Sequence, residues 1–235
     1  LRNRLFRQTL LCHRAVELKR NLGPADAEGL LFSANATAEG GAVDLAAGKS
    51  HVFKTPAGAT LRTANPWTKA AFVVLKETWP RAMAIDALVR EAGRRLGVAD
   101  HGPKERQALQ ADLLQCFSAN IVEFHSWQGD FTLTPGLRPC LYPLAAHQLR
   151  EGLPLVNPRH QPVALDVVAM QIAPFLDGKQ DRNALLTRME ELVAGGKLVI
   201  RQAGAPVSHP GVIRESLVKA LEQTLVNLAQ AALLM

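Results

Sequence analysis

The stretch NPWTKAAFVVLKETWPRAMAIDALVREAGRRL, residues 65–96, decides the fold. It opens with Asn65 followed by proline, a typical helix start, because the asparagine side chain caps the first turn and proline needs no acceptor there. Apolar residues then recur at helical spacing until Trp79, where a second proline ends the pattern. A second helix is predicted over residues 83–96, with Gly97 as its stop.

Downstream of this stretch, the sequence predicts a third helix and a β-hairpin. The helix starts after Gly102 and a proline and runs to about Ser118. Two strands, IVEFHSW (121–127) and FTLT (131–134), are expected to pair around a turn at 129–130. Three helices followed by a hairpin form the winged-helix arrangement, a variant of the helix-turn-helix.

Upstream of residue 65, short β-prone runs alternate with turn residues. The runs LLFSANA (30–36) and HVFKT (51–55) are predicted strands. A turn over residues 55–58 should join HVFK to ATLRT (59–63) as a hairpin. Such short strands need a helical layer over one face.

The C-terminal half repeats the helical character without repeating the sequence. Six prolines mark residues 134–162 as a connector with one short helix near 144–150. Helices are then predicted from Val163, after a cap at Asp181, and from about 212 to the end, with KLVIR (197–201) as a strand. This half is predicted to be a second, degenerate winged-helix-like unit.

The expected fold class is therefore α+β, mainly helical, with two winged-helix-like units and small β-hairpins. We place the first unit and its strands in residues 1–135. The linker and the second unit take residues 136–235.

Composition excludes several classes of protein. Hydrophobic residues make up 48% and charged residues 20% of the 235, which is typical of a folded chain. No run approaches the roughly 18 apolar residues of a membrane-spanning helix. The net charge of +6 permits an acidic partner. Three widely spaced cysteines fit neither a disulfide framework nor a zinc motif, so reduced thiols and a cytoplasmic location are expected.

The sequence offers no constellation for catalysis. The glycine-rich runs GRRLG (93–97) and AGGK (194–197) both follow helices, whereas a dinucleotide or S-adenosylmethionine loop follows a strand. The seven histidines lack metal-ligand spacing, and Cys116 lies on an apolar helix face. We therefore predict no catalytic, cofactor-binding or metal-binding residue and no enzyme activity of this chain alone. A self-sufficient enzyme would need a cofactor pocket.

DNA binding is the alternative function, because winged helices often read DNA. The third helix would be the reader, but its basic residues alternate with Glu105 and Asp112, and the wing turn at 128–130 holds no lysine or arginine. A DNA-binding transcription regulator therefore ranks below a protein-contact module. The candidate reading residues are Lys104, Arg106, Gln107 and Gln110.

Three segments carry a family resemblance. They are RNRLFRQTLLC (2–12), FKTPAGATLRTANPWTKAAFVVL (53–75) and PRHQPVALDVVAMQIAPFLDGKQDRNALL (158–186). They resemble the methyltransferase regulatory region that follows a class I S-adenosylmethionine-dependent methyltransferase domain in bacterial proteins. That group includes protein lysine methyltransferases acting on outer-membrane proteins. The resemblance covers residues 1 to about 200.

The resemblance implies a non-catalytic role in regulating the methyltransferase or presenting its substrate. The implied partner is the methyltransferase domain, in cis or in trans. S-adenosylmethionine is expected only in that domain and not in this chain. A protein substrate and a second copy of the chain are further candidate partners, whereas DNA is not expected.

The N-terminal segment is the predicted contact with that domain. Residues 1–20 can form a basic amphipathic helix that begins without a cap, as if it continued from a longer protein. A helix this short needs packing to persist. We expect it to contact, or to continue covalently from, the methyltransferase domain; the alternative is that it packs on the strands at 24–62. The contact residues are Phe6, Arg7, Leu10 and Leu11.

Overall fold

A computed structural model describes residues 11–98, 102–129, 131–202, 205–206 and 209–235. Helices dominate over short strands, which confirms the α+β, mainly helical class. Buried apolar residues form two clusters, which we call the first core and the second core. The first core draws its residues from between Ala27 and Val122 and the second core from between Leu141 and Leu234.

Short strands precede the first helix. The hairpin predicted around residues 55–58 is confirmed, with Phe53 opposite Leu61. Gly58 in its turn has φ +90°, a left-handed backbone that favours glycine. The sheet order is β2-β3-β4, so β2 is an edge strand. The strands are β1 (Leu31–Ser33), β2 (Thr37–Ala38), β3 (His51–Lys54) and β4 (Thr60–Thr63).

The three predicted helices form the body around the first core. The Asn65 side chain accepts a hydrogen bond from the backbone N–H of Trp67, which confirms the cap. Gly97 ends the second helix in the left-handed conformation, at φ 70°. Val74 and Leu75 of the first helix are fully buried. The elements are α1 (Pro66–Thr78), β5 (Met83–Ala84), α2 (Ile85–Leu96), α3 (Pro103–Ser118) and β6 (Glu123–His125).

The hairpin predicted over residues 121–134 is wrong. β6 pairs with β1, and β1 also pairs with β5, which gives a sheet of order β5-β1-β6. A strand that precedes all three helices thus fills the central position of the small sheet. Phe32 of β1 is fully buried, with its ring edge-on to Phe124 at 4.9 Å between centroids. Burial of Phe32 and its edge-on packing against Phe124 stabilise this pairing.

The second core is built mainly from helices. The predicted cap at Asp181 is confirmed, because its side chain accepts from the Ala184 N–H. The helix expected from Val163 begins four residues later, since Asp166 caps it and Val163 pairs in β8. Of the predicted strand 197–201, only the last residue is in a strand. The elements are α4 (Pro143–Arg150), β7 (Leu155–Val156), β8 (Pro162–Val163), α5 (Val167–Ile172), α6 (Arg182–Ala194), β9 (Arg201–Gln202), β10 (Ala205–Pro206) and α7 (Pro210–Gln230).

The last helix supplies the longest apolar stripe of the second core. Leu217, Leu221, Leu225 and Leu228 recur at helical spacing on α7 and are all buried. Its exposed faces carry mostly polar residues, together with Val218 and Val226. Within the described part of the chain, none of the helices is both long and apolar enough to cross a membrane.

Candidate functional site at the junction of the two cores

Of the four residues predicted to form the N-terminal contact, the structure describes Leu11 alone. Phe6, Arg7 and Leu10 lie outside the described residues. Leu11 is described and is 90% exposed, so it does not pack on the strands at 24–62. Residues 11–20 are not helical, which corrects the predicted helix there. These residues bury no apolar face, and a short helix without a packed face is marginal in water.

A polar cluster joins the two cores, and Arg159 is its centre. This residue lies in the loop between β7 and β8, yet its guanidinium reaches the first core. It donates to the Pro80 carbonyl at 2.6 Å and to Ser33 Oγ at 3.3 Å, and it forms an ion pair with Glu123. It also lies 4.1 Å from the centroid of the Trp79 ring, a cation–π contact. Only 3% of the Arg159 side chain is exposed, so the centre of the junction is shielded from solvent.

Asn157 preorganises the loop that carries Arg159. Its Oδ1 accepts hydrogen bonds from the backbone N–H groups of Arg159 and Gln161, both at 3.0 Å. Its Nδ2 donates to the Ala231 carbonyl at 2.9 Å, beyond the end of α7. Asn157 is 3% exposed. One buried asparagine therefore fixes the loop to the second core and aims Arg159 outward at the first.

The acidic side of the junction is Glu123 on β6. Its carboxylate accepts from Gln161 Nε2 at 3.3 Å, in addition to the ion pair with Arg159. His125 Nε2 lies 3.4 Å from the same carboxylate and 2.9 Å from Ser33 Oγ. Burial alone would raise the pKa of Glu123. The hydrogen bond from His125 and the charge of Arg159 outweigh burial and hold that pKa below its usual range.

The guanidinium is not fully satisfied. Arg159 Nε is buried without a hydrogen-bond partner. Burial lowers the pKa of Arg159, while the charge of Glu123 opposes that shift. An arginine stays charged at any physiological pH. The junction thus contains a desolvated cation held by one carboxylate, two oxygen acceptors and an aromatic ring, an arrangement suited to holding two parts together rather than to transferring protons.

Further hydrogen bonds fasten the same junction around its rim. The Trp79 indole N–H donates to the Gln230 carbonyl at 2.9 Å. Arg81 Nε donates to the Phe131 carbonyl at 2.7 Å, and the Thr132 N–H reaches the Leu234 carbonyl at 3.4 Å. Sequence reasoning missed this site. Its central arginine lies in a proline-rich connector without periodicity, and the partners of that arginine lie on three separate segments.

Glu123 should titrate below 4.5, the usual value for a glutamate. The lowered pKa means that Glu123 stabilises the fold above pH 4.5 and loses this effect as pH falls through the folded-state pKa. Carbon-13 NMR titration of its carboxyl should show a midpoint below 4.5, and the His125→Leu variant should shift that midpoint upward. The urea-denatured chain, titrated in parallel, supplies the reference. A native midpoint at or above 4.5 would contradict the contact geometry.

On the candidate reading helix, Arg106 and Gln110 are engaged with other side chains of the protein. Arg106 on α3 forms ion pairs with Glu28 at 2.7 Å and Asp86 at 2.6 Å. These partners, with the hydrogen bond to Glu28 foremost, raise the Arg106 pKa further. Gln110 is buried and accepts from Arg106 Nη1 at 2.9 Å. Lys104 and Gln107 remain exposed.

The cysteine on α3 is not activated as a nucleophile. Cys116 is 4% exposed. Burial, assisted by the nearby charge of Asp112, raises its pKa to about 11. The group is therefore a thiol rather than a thiolate at neutral pH. Among the residues that the structure describes, histidine, cysteine and acidic side chains form no group of three that could hold a metal ion.

The second half of the chain is similar to a known family. Residues 138–233 match the family model of the PKMT C-terminal winged helix domain. This match supports the winged-helix character of the second half and its relation to PKMT. No curated protein matches the chain.

Solved structures that share the fold include two of PKMT2 from Rickettsia typhi. In the structure determined in complex with AdoHcy, the TM-score is 0.78 at 15% sequence identity. In a second structure of PKMT2 the TM-score is 0.79 at 14% identity. Each likeness covers 95% of this chain and 45% of the PKMT2 chain. The present chain thus spans less than half the length of PKMT2, and the shared feature is the fold.

Proposed function

We propose that this chain is the non-catalytic region that follows an S-adenosylmethionine-dependent methyltransferase domain and acts by protein–protein contact. The observation that carries the proposal is the match of residues 138–233 to the PKMT winged helix domain. The shared fold with PKMT2, over 95% of this chain, agrees with it. S-adenosylmethionine would then bind to the methyltransferase domain, in cis or in trans, and the assembly would be cytoplasmic.

The geometry of the junction supports a scaffolding role. Arg159 and Asn157 tie the second core to β1, β6 and the end of α1, so the two cores should move as one body. A rigid body can hold a partner domain or a substrate in a fixed position, which is how remote contacts assist a reaction. Apart from Arg159 Nε, the polar groups described above for the junction are engaged in these structural contacts. We therefore assign them no step in methyl transfer.

DNA binding is less well supported than protein contact. Two of the four candidate reading residues, Arg106 and Gln110, are engaged with Glu28 and with each other. A reading helix must present such side chains to base edges. The ion pairs of Arg106 would have to break before α3 could dock in a groove, at a cost that a modest net charge of +6 does not offset.

The proposal predicts that charges placed in the N-terminal segment impair methyl transfer. A protein joining the methyltransferase domain to this chain should lose at least several-fold in activity when it carries Phe6→Asp with Leu10→Asp. Burying large apolar side chains against the catalytic domain would contribute about 1.5–3 kcal/mol each, which the charged variants forfeit. Transfer of a labelled methyl group measures the effect.

The matched control is Leu137→Asp, because Leu137 is 83% exposed and lies in the other half of the chain. The isolated double variant should keep its thermal midpoint. Unchanged activity of the joined protein would refute the proposed contact. Unfolding of the isolated chain would instead assign the segment to its own core.

A further inference from the structure

An open cleft of about 620 Å³ lies beside the junction. It lies between the edge of the β2-β3-β4 sheet, the end of α1 and the end of α7. Trp79 belongs both to the junction and to the wall of this cleft. The cleft therefore lies where the two cores meet and depends on their relative position. Its polar lining includes Asn35, Glu39, Lys54, Lys76, Asn227 and Gln230.

Lys76 provides a positive charge that lacks a carboxylate partner. Its ammonium is partly buried and donates to Asn35 Oδ1 at 2.7 Å. Among the described residues it forms no ion pair. Burial lowers the Lys76 pKa. A partly desolvated cation with a neutral partner is costly, and an anion in the cleft would relieve that cost.

A second lysine reinforces the positive character of the cleft. Lys54, at the end of β3, is exposed, and its ammonium has no hydrogen bond or ion pair within the described part of the chain. Glu39 is the acidic residue in the described lining. Two lysines against one glutamate favour a ligand that carries negative charge.

The edge of the sheet offers backbone groups to the same cleft. The Glu39 N–H donates to the Val52 carbonyl at 2.8 Å, and Ala38 lies opposite Phe53. In an antiparallel ladder, residues between hydrogen-bonded pairs direct their N–H and C=O away from the partner strand. Ala38 therefore presents both groups outward along a free strand edge, the pattern that accepts an extended peptide as an added strand.

Amide side chains on the opposite wall of the cleft are also suited to a peptide ligand. Asn227 and Gln230, from the last turn of α7, face the cleft, and the Gln230 side chain has no partner among the described residues. Amides both donate and accept hydrogen bonds, as peptide groups do. The cleft thus combines cations for a carboxylate with hydrogen-bonding groups for a backbone.

We infer that this cleft binds an extended peptide segment of the protein substrate, with an acidic side chain placed against Lys76 and Lys54. The backbone of the segment would run along the free edge at Ala38. This inference rests on the proposed function, which supplies the protein substrate from which the segment would come.

The test uses two fluorescein-labelled, end-blocked heptapeptides, AVTEVTA and AVTQVTA, that differ only in the charge of the central residue. Fluorescence anisotropy with the full chain should show at least tenfold tighter binding of the glutamate peptide. Lys76→Met should abolish this preference, and Lys54→Met should reduce it several-fold. The control Lys104→Met removes an exposed lysine of α3 outside the cleft and should leave the preference unchanged.

Three results would overturn the inference. They are equal binding of the two peptides, an equal loss in the Lys104→Met control, and binding of N-acetylglutamate amide as tight as that of the peptide. The last result would assign a site for small anions. Thermal midpoints establish that the variants fold, and Lys54→Met, at an exposed position, keeps the test decisive if Lys76→Met is unstable.

The binding test is separate from the test of the proposed function because it needs no methyltransferase domain. Loss of the peptide preference with an intact effect of Phe6→Asp and Leu10→Asp on methyl transfer would refute the cleft assignment alone. A clear peptide preference without that effect would refute the proposed regulatory contact alone.

Discussion

Lys69→Met should lower the free energy of unfolding by about 3–5 kcal/mol. Lys69 lies on α1 and is completely buried. Its ammonium donates to the carbonyls of Asp44, Ala46 and Lys49, at 2.7, 2.7 and 2.9 Å. The three donors of a lysine are thereby used in full. Methionine keeps the length of the side chain but leaves these three carbonyls without their charged donor.

Chemical denaturation in urea measures the global effect, and amide hydrogen exchange over residues 44–49 measures the local one. Exchange there should accelerate in Lys69→Met because the loop loses the group that organises it. Lys49→Met is the matched control. It lies in the same loop, and its exposed ammonium pairs with Asp44 at the surface, so stability should barely change. A loss below about 1 kcal/mol in Lys69→Met would contradict the structural role of this lysine.

Arg159→Met should destabilise the chain by about 2–3 kcal/mol and uncouple the two cores. The substitution removes the donor to Pro80 and Ser33 and leaves Glu123 without its cation. Glu123 is 43% exposed, so water screens part of the loss, and the cost stays below that of a fully buried pair. The methionine retains some packing against Trp79.

Differential scanning calorimetry should resolve the uncoupling. The wild-type chain is expected to unfold in one transition and Arg159→Met in two, because the junction connects cores that are otherwise separate clusters. Arg159→Lys should fall between them, since lysine keeps the charge and loses the planar fork. The control Arg62→Met removes an exposed arginine of β4 and should match the wild type. A single unchanged transition in Arg159→Met would refute the coupling.

The cleft and the junction are linked through Trp79. Its ring contacts Arg159, its indole N–H holds the end of α7, and its side chain lines the cleft. Loosening the junction should therefore widen the cleft. Peptide binding and core coupling would then fail together in Arg159→Met, whereas Lys76→Met should affect peptide binding alone.

The sequence by itself determined most of the helices and several of their limits, although residues 11–20 are not helical and the helix expected from Val163 begins at Val167. The cap at Asn65, the left-handed stop at Gly97 and the cap at Asp181 are all confirmed. Each depends on atoms within about four residues along the chain, so a local pattern suffices to reveal it. The α+β class followed from the same patterns, and the buried stripe of α7 followed from its period.

The tertiary structure decided which strands pair and which charges are buried. β1 enters the sheet between β5 and β6, and Arg159 reaches Ser33 across 126 positions of sequence. Lys69 looks like an ordinary polar residue of an amphipathic helix, yet the loop at 44–49 covers it. Such contacts form because they give the greatest total burial and hydrogen bonding between distant segments. The residues next to each contact in the sequence do not reveal which distant segments will meet.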